Sequence, residues 1–297
     1  MIRKVHVAIN PASGQPQTIL NKLNDVFHPA GVDWAVSITH KSGDAARFAR
    51  QAIADGAEVI GAYGGDGTVM EVAEAVQGGE VPMAILPGGT ANLMSVELGI
   101  PKDLSEAAKI MIDPASVVRW IDMGQVSEQR FMLRVGMGFF GEKVKLADRK
   151  LKDKWGILAY SIAGLKALKT APMAKYHITV DGEGFETDGK TCLIDNAGNM
   201  GSQGVAPSKT ISISDGLLDV LIVRDAKVGS WIALGKSMRG HEDQDAVKHW
   251  QGREIYIKCD PPQDVQGDGE IWGQTPVSVQ VLPGVLPIMT PTIEQKE

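Results

Sequence analysis

Asp66 stands among glycines in Gly64-Gly65-Asp66-Gly67-Thr68, and a carboxylate set in so bare a stretch of backbone is the most chemically suggestive feature of this 297-residue chain. Three glycines let N–H groups close on a ligand, and a helix beginning just beyond adds a partial positive charge suited to phosphate. Phosphate would repel a carboxylate there. Asp66 therefore makes sense if it carries a Mg2+ ion or holds a sugar hydroxyl or the reacting hydroxyl. The loop alone is equally compatible with a plain strand-to-helix turn in which Asp66 is the N-cap. Two further segments have phosphate-binding composition, Asn10-Pro11-Ala12-Ser13-Gly14 and Pro87-Gly88-Gly89-Thr90-Ala91-Asn92.

The elements around these loops repeat one grammar. Apolar runs at 5–9, 34–39, 59–63 and 81–86 each lead into a polar, glycine-bearing junction, and apolar positions at helical spacing follow (Leu20, Leu23, Phe27; Ala45, Phe48, Ala52; Val69, Val72, Val76). Thr39 ends the second strand and Asp44 is a plausible N-cap for the helix after it. A last helix is expected to open at Pro101 and run through Leu104, Ala107, Ala108 and Met111. Alternating β and α elements imply a doubly wound parallel sheet, whose ligands bind outside the carboxyl ends of the strands. The three loops are thus expected to converge.

After Asp122 short alternating segments replace helical periodicity, at 130–136, 176–180, 191–194, 211–213, 217–223, 254–258 and 277–281. Asp181-Gly182 and Asp215-Gly216 are turn chemistry. An antiparallel β-rich second domain follows, interrupted by helical stretches near 157–169 and 229–238, with its boundary near residue 123.

Composition restricts the function. A net charge of −6 argues against broad electrostatic binding of nucleic acid. Two cysteines, Cys192 and Cys259, provide no disulfide framework and no metal motif, and are expected to be buried thiols. No apolar run approaches a membrane span, and the opening residues read as a strand rather than a signal peptide, which leaves a cytoplasmic location as the expectation. The stretch from Lys143 to Lys175 holds nine basic and two acidic residues around Trp155 and an apolar run. Such a surface suits peripheral contact with an anionic leaflet, although lysines on a solvated helix account for it equally well.

The ordered set Asn10-Pro11-Ala12-Ser13-Gly14, Gly64-Gly65-Asp66-Gly67-Thr68, Leu86-Pro87-Gly88-Gly89-Thr90-Ala91-Asn92, Asp215-Gly216-Leu217-Leu218-Asp219 and Asp268-Gly269-Glu270 resembles the diacylglycerol kinase catalytic domain of bacterial lipid kinases. Sphingosine kinases are related to that family, and NAD kinases more distantly. The resemblance implies Mg2+-dependent transfer of the γ-phosphoryl group of ATP to a lipid hydroxyl such as that of diacylglycerol. It also implies an α/β nucleotide-binding domain over 1–122, completed by 286–297, an antiparallel β-sandwich domain for the lipid over 123–285, and an active site in the cleft between them. It assigns the ATP contacts to Asn10, Pro11, Ala12, Ser13, Gly14, Thr39, Gly64, Gly65, Asp66, Gly67, Thr68, Val69, Met70, Gly89 and Thr90. Glu270 becomes the general base, working with Asp66, and a structural Mg2+ falls to Asp215 with main-chain oxygens of Ser212 and Leu217. Without the resemblance, Glu270 reads as an exposed turn residue.

This chain departs from the family's pattern in places. Gln15-Pro16-Gln17 stands where a basic residue is common, Leu93 where an aspartate often follows Asn92, and 199–204 matches a glycine-rich family loop only loosely. Two other functions remain compatible with the motifs, a soluble metabolite kinase of the NAD kinase type and a nucleotide-binding regulator without catalysis. Neither the acceptor nor the oligomeric state, a homodimer included, is legible.

Overall fold

The structure, a computed structural model, describes residues 2–14, 17–138, 171–198, 211–224, 247–267 and 270–292. The helices expected at 157–169 and 229–238, the loop at 199–204, Asp268, Gly269 and all of the basic segment before residue 171 lie outside the described residues. The chain divides into two compact units, Met1–Ile121 with Gly284–Glu297, and Asp122–Pro283.

In the first unit the chain runs β1 (Lys4–Ile9), α1 (Ile19–Phe27), β2 (Asp33–Ile38), α2 (Asp44–Ala54), β3 (Val59–Gly64), α3 (Asp66–Val76), β4 (Met83–Pro87), α4 (Leu93–Glu97) and α5 (Leu104–Ile110). Every residue of β3 and β4 is buried, as expected for strands covered on both faces. The four strands are parallel in the order β2-β1-β3-β4. The winding therefore reverses between β1 and β3, and the crevice at such a reversal is where open α/β sheets bind ligands. α5 opens later than Pro101 predicts. Asp103 is its N-cap, accepting hydrogen bonds from the N–H groups of Ser105 and Glu106.

β5 (Val117–Val126) leads out of this unit. The second unit continues with β6 (Gln129–Phe131), β7 (Arg134–Gly138), β8 (Ala174–Val180), β9 (Glu183–Gly189), β10 (Thr191–Asp195), β11 (Leu218–Val223), β12 (Val247–Gly252), β13 (Glu254–Asp260), β14 (Asp264–Gly267), β15 (Glu270–Gln274) and β16 (Val277–Thr290). One antiparallel sheet has the order β12-β11-β10-β7-β14-β15. The second joins β9, β8, β13 and the first part of β16, also antiparallel. β13 shows how these strands face a core, alternating exposed and buried along its whole length. Met137, Ile194 and Val220 from one sheet meet Tyr176, Ile257 and Val279 from the other in a single apolar cluster. Cys192 and Cys259 are free and buried in it, and burial pushes both thiols up, that of Cys259 to about 11. Such thiols stay protonated and unreactive.

The last part of β16 lies beside β4 in the first unit, with Ile288 opposite Met83. There Val285 accepts a hydrogen bond from the Gly78 N–H at 2.7 Å, and the Thr290 hydroxyl donates to Val117 O. Among the described residues no helix is long and apolar enough to cross a membrane.

Candidate functional site

At the carboxyl ends of β1, β3 and β4 the three glycine-bearing loops lie against one another. Asn10 holds the first in shape. Its side-chain oxygen accepts the Ala12 N–H at 3.0 Å, its main-chain oxygen accepts that of Ser13, and its own N–H donates to Tyr63 O. The Asn10 side-chain amide then reaches across the β1/β3 reversal and donates to the Thr68 hydroxyl at 3.0 Å. Thr39 is tied in at the edge, its N–H donating to Ile9 O.

The contact between first and third loops is backbone on backbone. Gly14 has φ +78°, and a Cβ on it would stand 2.1 Å from Gly88 O. A Cβ on Gly89 would stand 2.6 Å from the Gly65 Cα, so the second and third loops also meet without side chains between them. Gly88 N–H donates to Gly64 O at 2.9 Å. Pro11, Ala12, Gly14, Gly67 and Thr90 are exposed, and Ser13, Gly65, Asp66 and Gly89 are half-buried. A rim of backbone with few side chains is what close approach to a phosphate chain demands, and α3 begins within it, at Asp66. Val69 and Met70 contribute differently: their side chains are buried, and the Val69 N–H closes onto Gly65 O.

Asp66 is not the N-cap of α3. Gly65 is, and Asp66 is the first helical residue. Its Oδ1 accepts the Leu93 N–H at 2.9 Å, so the carboxylate fastens the start of α4 to the glycine loop. Asn92, with φ +48°, completes the fastening by accepting the Gly89 N–H and donating to Gly89 O. Asp44 likewise follows its N-cap, Gly43, and turns back to accept the N–H groups of His40 and Lys41. The hydrogen bond from Arg47, with those two, holds its carboxyl down to about 2. Glu71 of α3 accepts the Ala45 N–H and the Ser42 hydroxyl at the start of α2. No sequence pattern flags Glu71, whose partners lie 26 and 29 positions away.

In the second unit Ser212, Asp215 and Leu217 fall in the turn that feeds β11. The Asp215 carboxylate accepts the Leu217 N–H at 3.1 Å, and the buried Asp122 accepts the Gly216 N–H at 2.7 Å. Partial burial, and after it the neighbouring carboxylates of Asp219 and Asp122, push the Asp215 carboxyl up. A cation would relieve that field. Among the described residues no three His, Cys, Asp or Glu side chains are grouped to hold a metal, so a cation here would rely on main-chain oxygens, hard donors of the kind Mg2+ takes. Asp219 is buried and bonded to His249 Nε2 at 2.5 Å, a pair that motif reading missed. Glu270 is exposed at the head of β15, opposite Gly267.

The family model described as Diacylglycerol kinase catalytic domain matches residues 4–126, and the YegS C-terminal NAD kinase beta sandwich-like domain matches 135–290. The lipid kinase YegS of Escherichia coli K12 is 31% identical over 86% of this chain and 86% of its own length. The diacylglycerol kinase of Bacillus subtilis is 28% identical over 93% of this chain and 92% of its own. An uncharacterized protein of Synechocystis is 33% identical over 81% of this chain, which spans 57% of that relative. A crystal structure of a putative diacylglycerol kinase from Bacillus anthracis superimposes with a TM-score of 0.82 at 27% identity, covering 98% of both chains. With both family models matched in order and relatives at this identity over most of its length, the chain belongs to the diacylglycerol kinase catalytic-domain family.

Proposed function

We propose that the protein transfers the γ-phosphoryl group of ATP to the hydroxyl of a diacylglycerol-like lipid. The observation that carries this reading is the meeting of three glycine-bearing loops at the β1/β3 reversal, joined by Asn10 and Thr68 and touching at Gly14 and Gly88. Phosphoryl transfer asks a protein mainly for positioning and for charge placed against the phosphates, and a rim of backbone N–H groups at a helix start provides both. The ATP phosphates lie along residues 10–14, 64–70 and 89–90, with Thr39 at the edge. The names of the Bacillus subtilis and Escherichia coli relatives support a lipid as acceptor.

In this reading Glu270 accepts the proton of the attacking hydroxyl. Its exposure lets it meet a substrate, and general base catalysis of this kind contributes roughly 10²–10⁴-fold. Asp66 keeps α4 and the third loop in register with the second, and in this reading its carboxylate would hold a Mg2+ ion or a hydroxyl. When bound, Mg2+ supplies charge neutralisation at the phosphates. A second Mg2+ would be held by Asp215 with main-chain oxygens of Ser212 and Leu217. The basic segment over 143–175 brings the enzyme to the anionic inner face of the membrane.

Incubation with γ-labelled ATP and Mg2+, against diacylglycerol, other glycerolipids, sphingoid bases and NAD in mixed micelles, tests the reading. Label on a lipid supports it. Label on NAD moves the chain to a soluble metabolite kinase, and ATP binding without any labelled acceptor makes it a regulator.

A further inference from the structure

Tyr63, the penultimate residue of β3, is fully buried and touches each of the three loops. Its main-chain oxygen accepts the Asn10 N–H at 2.9 Å. Its ring lies so close to Gly88 that a Cβ there would stand 2.9 Å from the ring's Cζ. Its hydroxyl accepts a hydrogen bond from the Gln17 side-chain amide at 2.7 Å, across 46 positions of sequence. Gln17 itself is exposed and lies just before α1, so this bond ties the far end of the first loop to the central strand.

The first loop is anchored at Asn10 by four hydrogen bonds, whereas its other end gains the phenol as an anchor. A loop fixed at both ends pays less ordering entropy when a ligand closes on it. Gln17 is at the surface and a phenylalanine would fill the volume of the ring, so Tyr63→Phe removes the bond while keeping the apolar packing.

We propose that the Tyr63 hydroxyl and Gln17 form a latch that presets residues 10–14 for the nucleotide, making Tyr63 and Gln17 positioning residues for ATP affinity. The inference rests on the ATP-binding reading above. It concerns the ground-state grip on the nucleotide, so its signature is a change in KM for ATP with kcat preserved.

The test uses the full chain with Tyr63→Phe, Gln17→Ala and the double variant. Amide hydrogen exchange in the peptide spanning residues 10–20, measured without nucleotide, is expected to quicken in all three. The dissociation constant and KM for ATP are expected to rise about fivefold in each single variant, with kcat within about twofold, as loss of one hydrogen bond predicts. Because both singles break the same bond, the double variant is expected to match them rather than multiply their effects. Wild-type exchange and affinity in Tyr63→Phe would overturn the latch, as would multiplicative effects in the double variant. If the wild-type chain binds no ATP, the nucleotide reading fails, and the exchange measurement still decides for or against the latch.

Discussion

The side-chain amide of Asn10 donates to the hydroxyl of Thr68 at 3.0 Å, joining the loop after β1 to the helix after β3 across the point where the sheet's winding reverses. Because Asn10 also closes its own loop onto Ala12, the two ends of that side chain do different work. Thr68→Val is expected to lower stability by about 1 kcal/mol, one hydrogen bond's worth, and Asn10→Ala by roughly twice that. Urea unfolding of both variants checks the order, and a larger loss in Thr68→Val would contradict it.

Glycine spacing in the loops gives a sharper contrast. Gly14→Ala places a Cβ on backbone oxygen at a φ of +78°, and it is expected to cost more than about 2 kcal/mol. Gly65→Ala places its Cβ no closer than 3.7 Å to the Gly89 Cα at an ordinary φ of −87°, so it is expected to lose only the N-cap preference of glycine over alanine, about 1 kcal/mol or less, and to cost less than Gly14→Ala. Thermal unfolding of the two proteins side by side decides the matter.

Asp44 makes stability depend on acid. Its carboxyl titrates near 2 in the folded chain and in the ordinary carboxylate range, near 3.9, when unfolded. The unfolded state therefore binds the proton first as pH falls, so the contribution of Asp44 is complete above about pH 4 and fades toward pH 2. Asp44→Asn is expected to be less stable than wild type at neutral pH, with the gap narrowing over that window. Urea midpoints measured from pH 7 down to pH 2.5 report it, and a gap independent of pH would contradict the assignment.

Asp215 has the opposite sign. Partial burial, with Asp219 and Asp122 nearby, raises its carboxyl, so the folded state holds the proton more tightly than the unfolded one, and stability is lost as pH rises through the raised value. Without divalent cation, Asp215→Asn is expected to melt at or above the wild-type temperature at neutral pH. With millimolar Mg2+ the wild type is expected to gain stability and the variant not, by the linkage of a ligand that binds only the folded state. An equal gain in both would place no cation at this turn.

Much of the first unit is legible because its strands are mostly apolar runs and its helices repeat at 3.6. Asp66 and Asp44 each proved to follow an N-cap glycine, since their carboxylates serve N–H groups elsewhere in the fold. Several strands were missed in the second unit. β9 reads Glu-Gly-Phe-Glu-Thr-Asp-Gly, a turn by composition, and becomes a strand through pairing with β8 after the Asp181-Gly182 turn. β12, β14 and β15 are short and polar, and the register of partners decides them more than propensity does. β16 runs well past the expected 277–281 despite Pro283, Gly284 and Pro287, because its end is taken up beside β4. Ile211 and Ile213 alternate like a strand but are buried in an irregular segment that turns at Ile213, whose main-chain oxygen accepts the Asp122 N–H. Asp122, Asn196 and Asp219 are buried polar residues with partners distant in sequence, and local pattern carries no trace of such pairs.

Replacing Glu270, the proposed base, while leaving the three glycine-bearing loops intact tests the proposed phosphoryl transfer most directly. The measurement is the initial rate of γ-phosphoryl transfer to the lipid acceptor at saturating ATP and Mg2+, for wild type and Glu270→Gln, with ATP affinity determined on the same preparations. A fall in kcat of roughly 10²–10⁴-fold with ATP affinity unchanged is the predicted result. Transfer at the wild-type rate in Glu270→Gln would contradict the account.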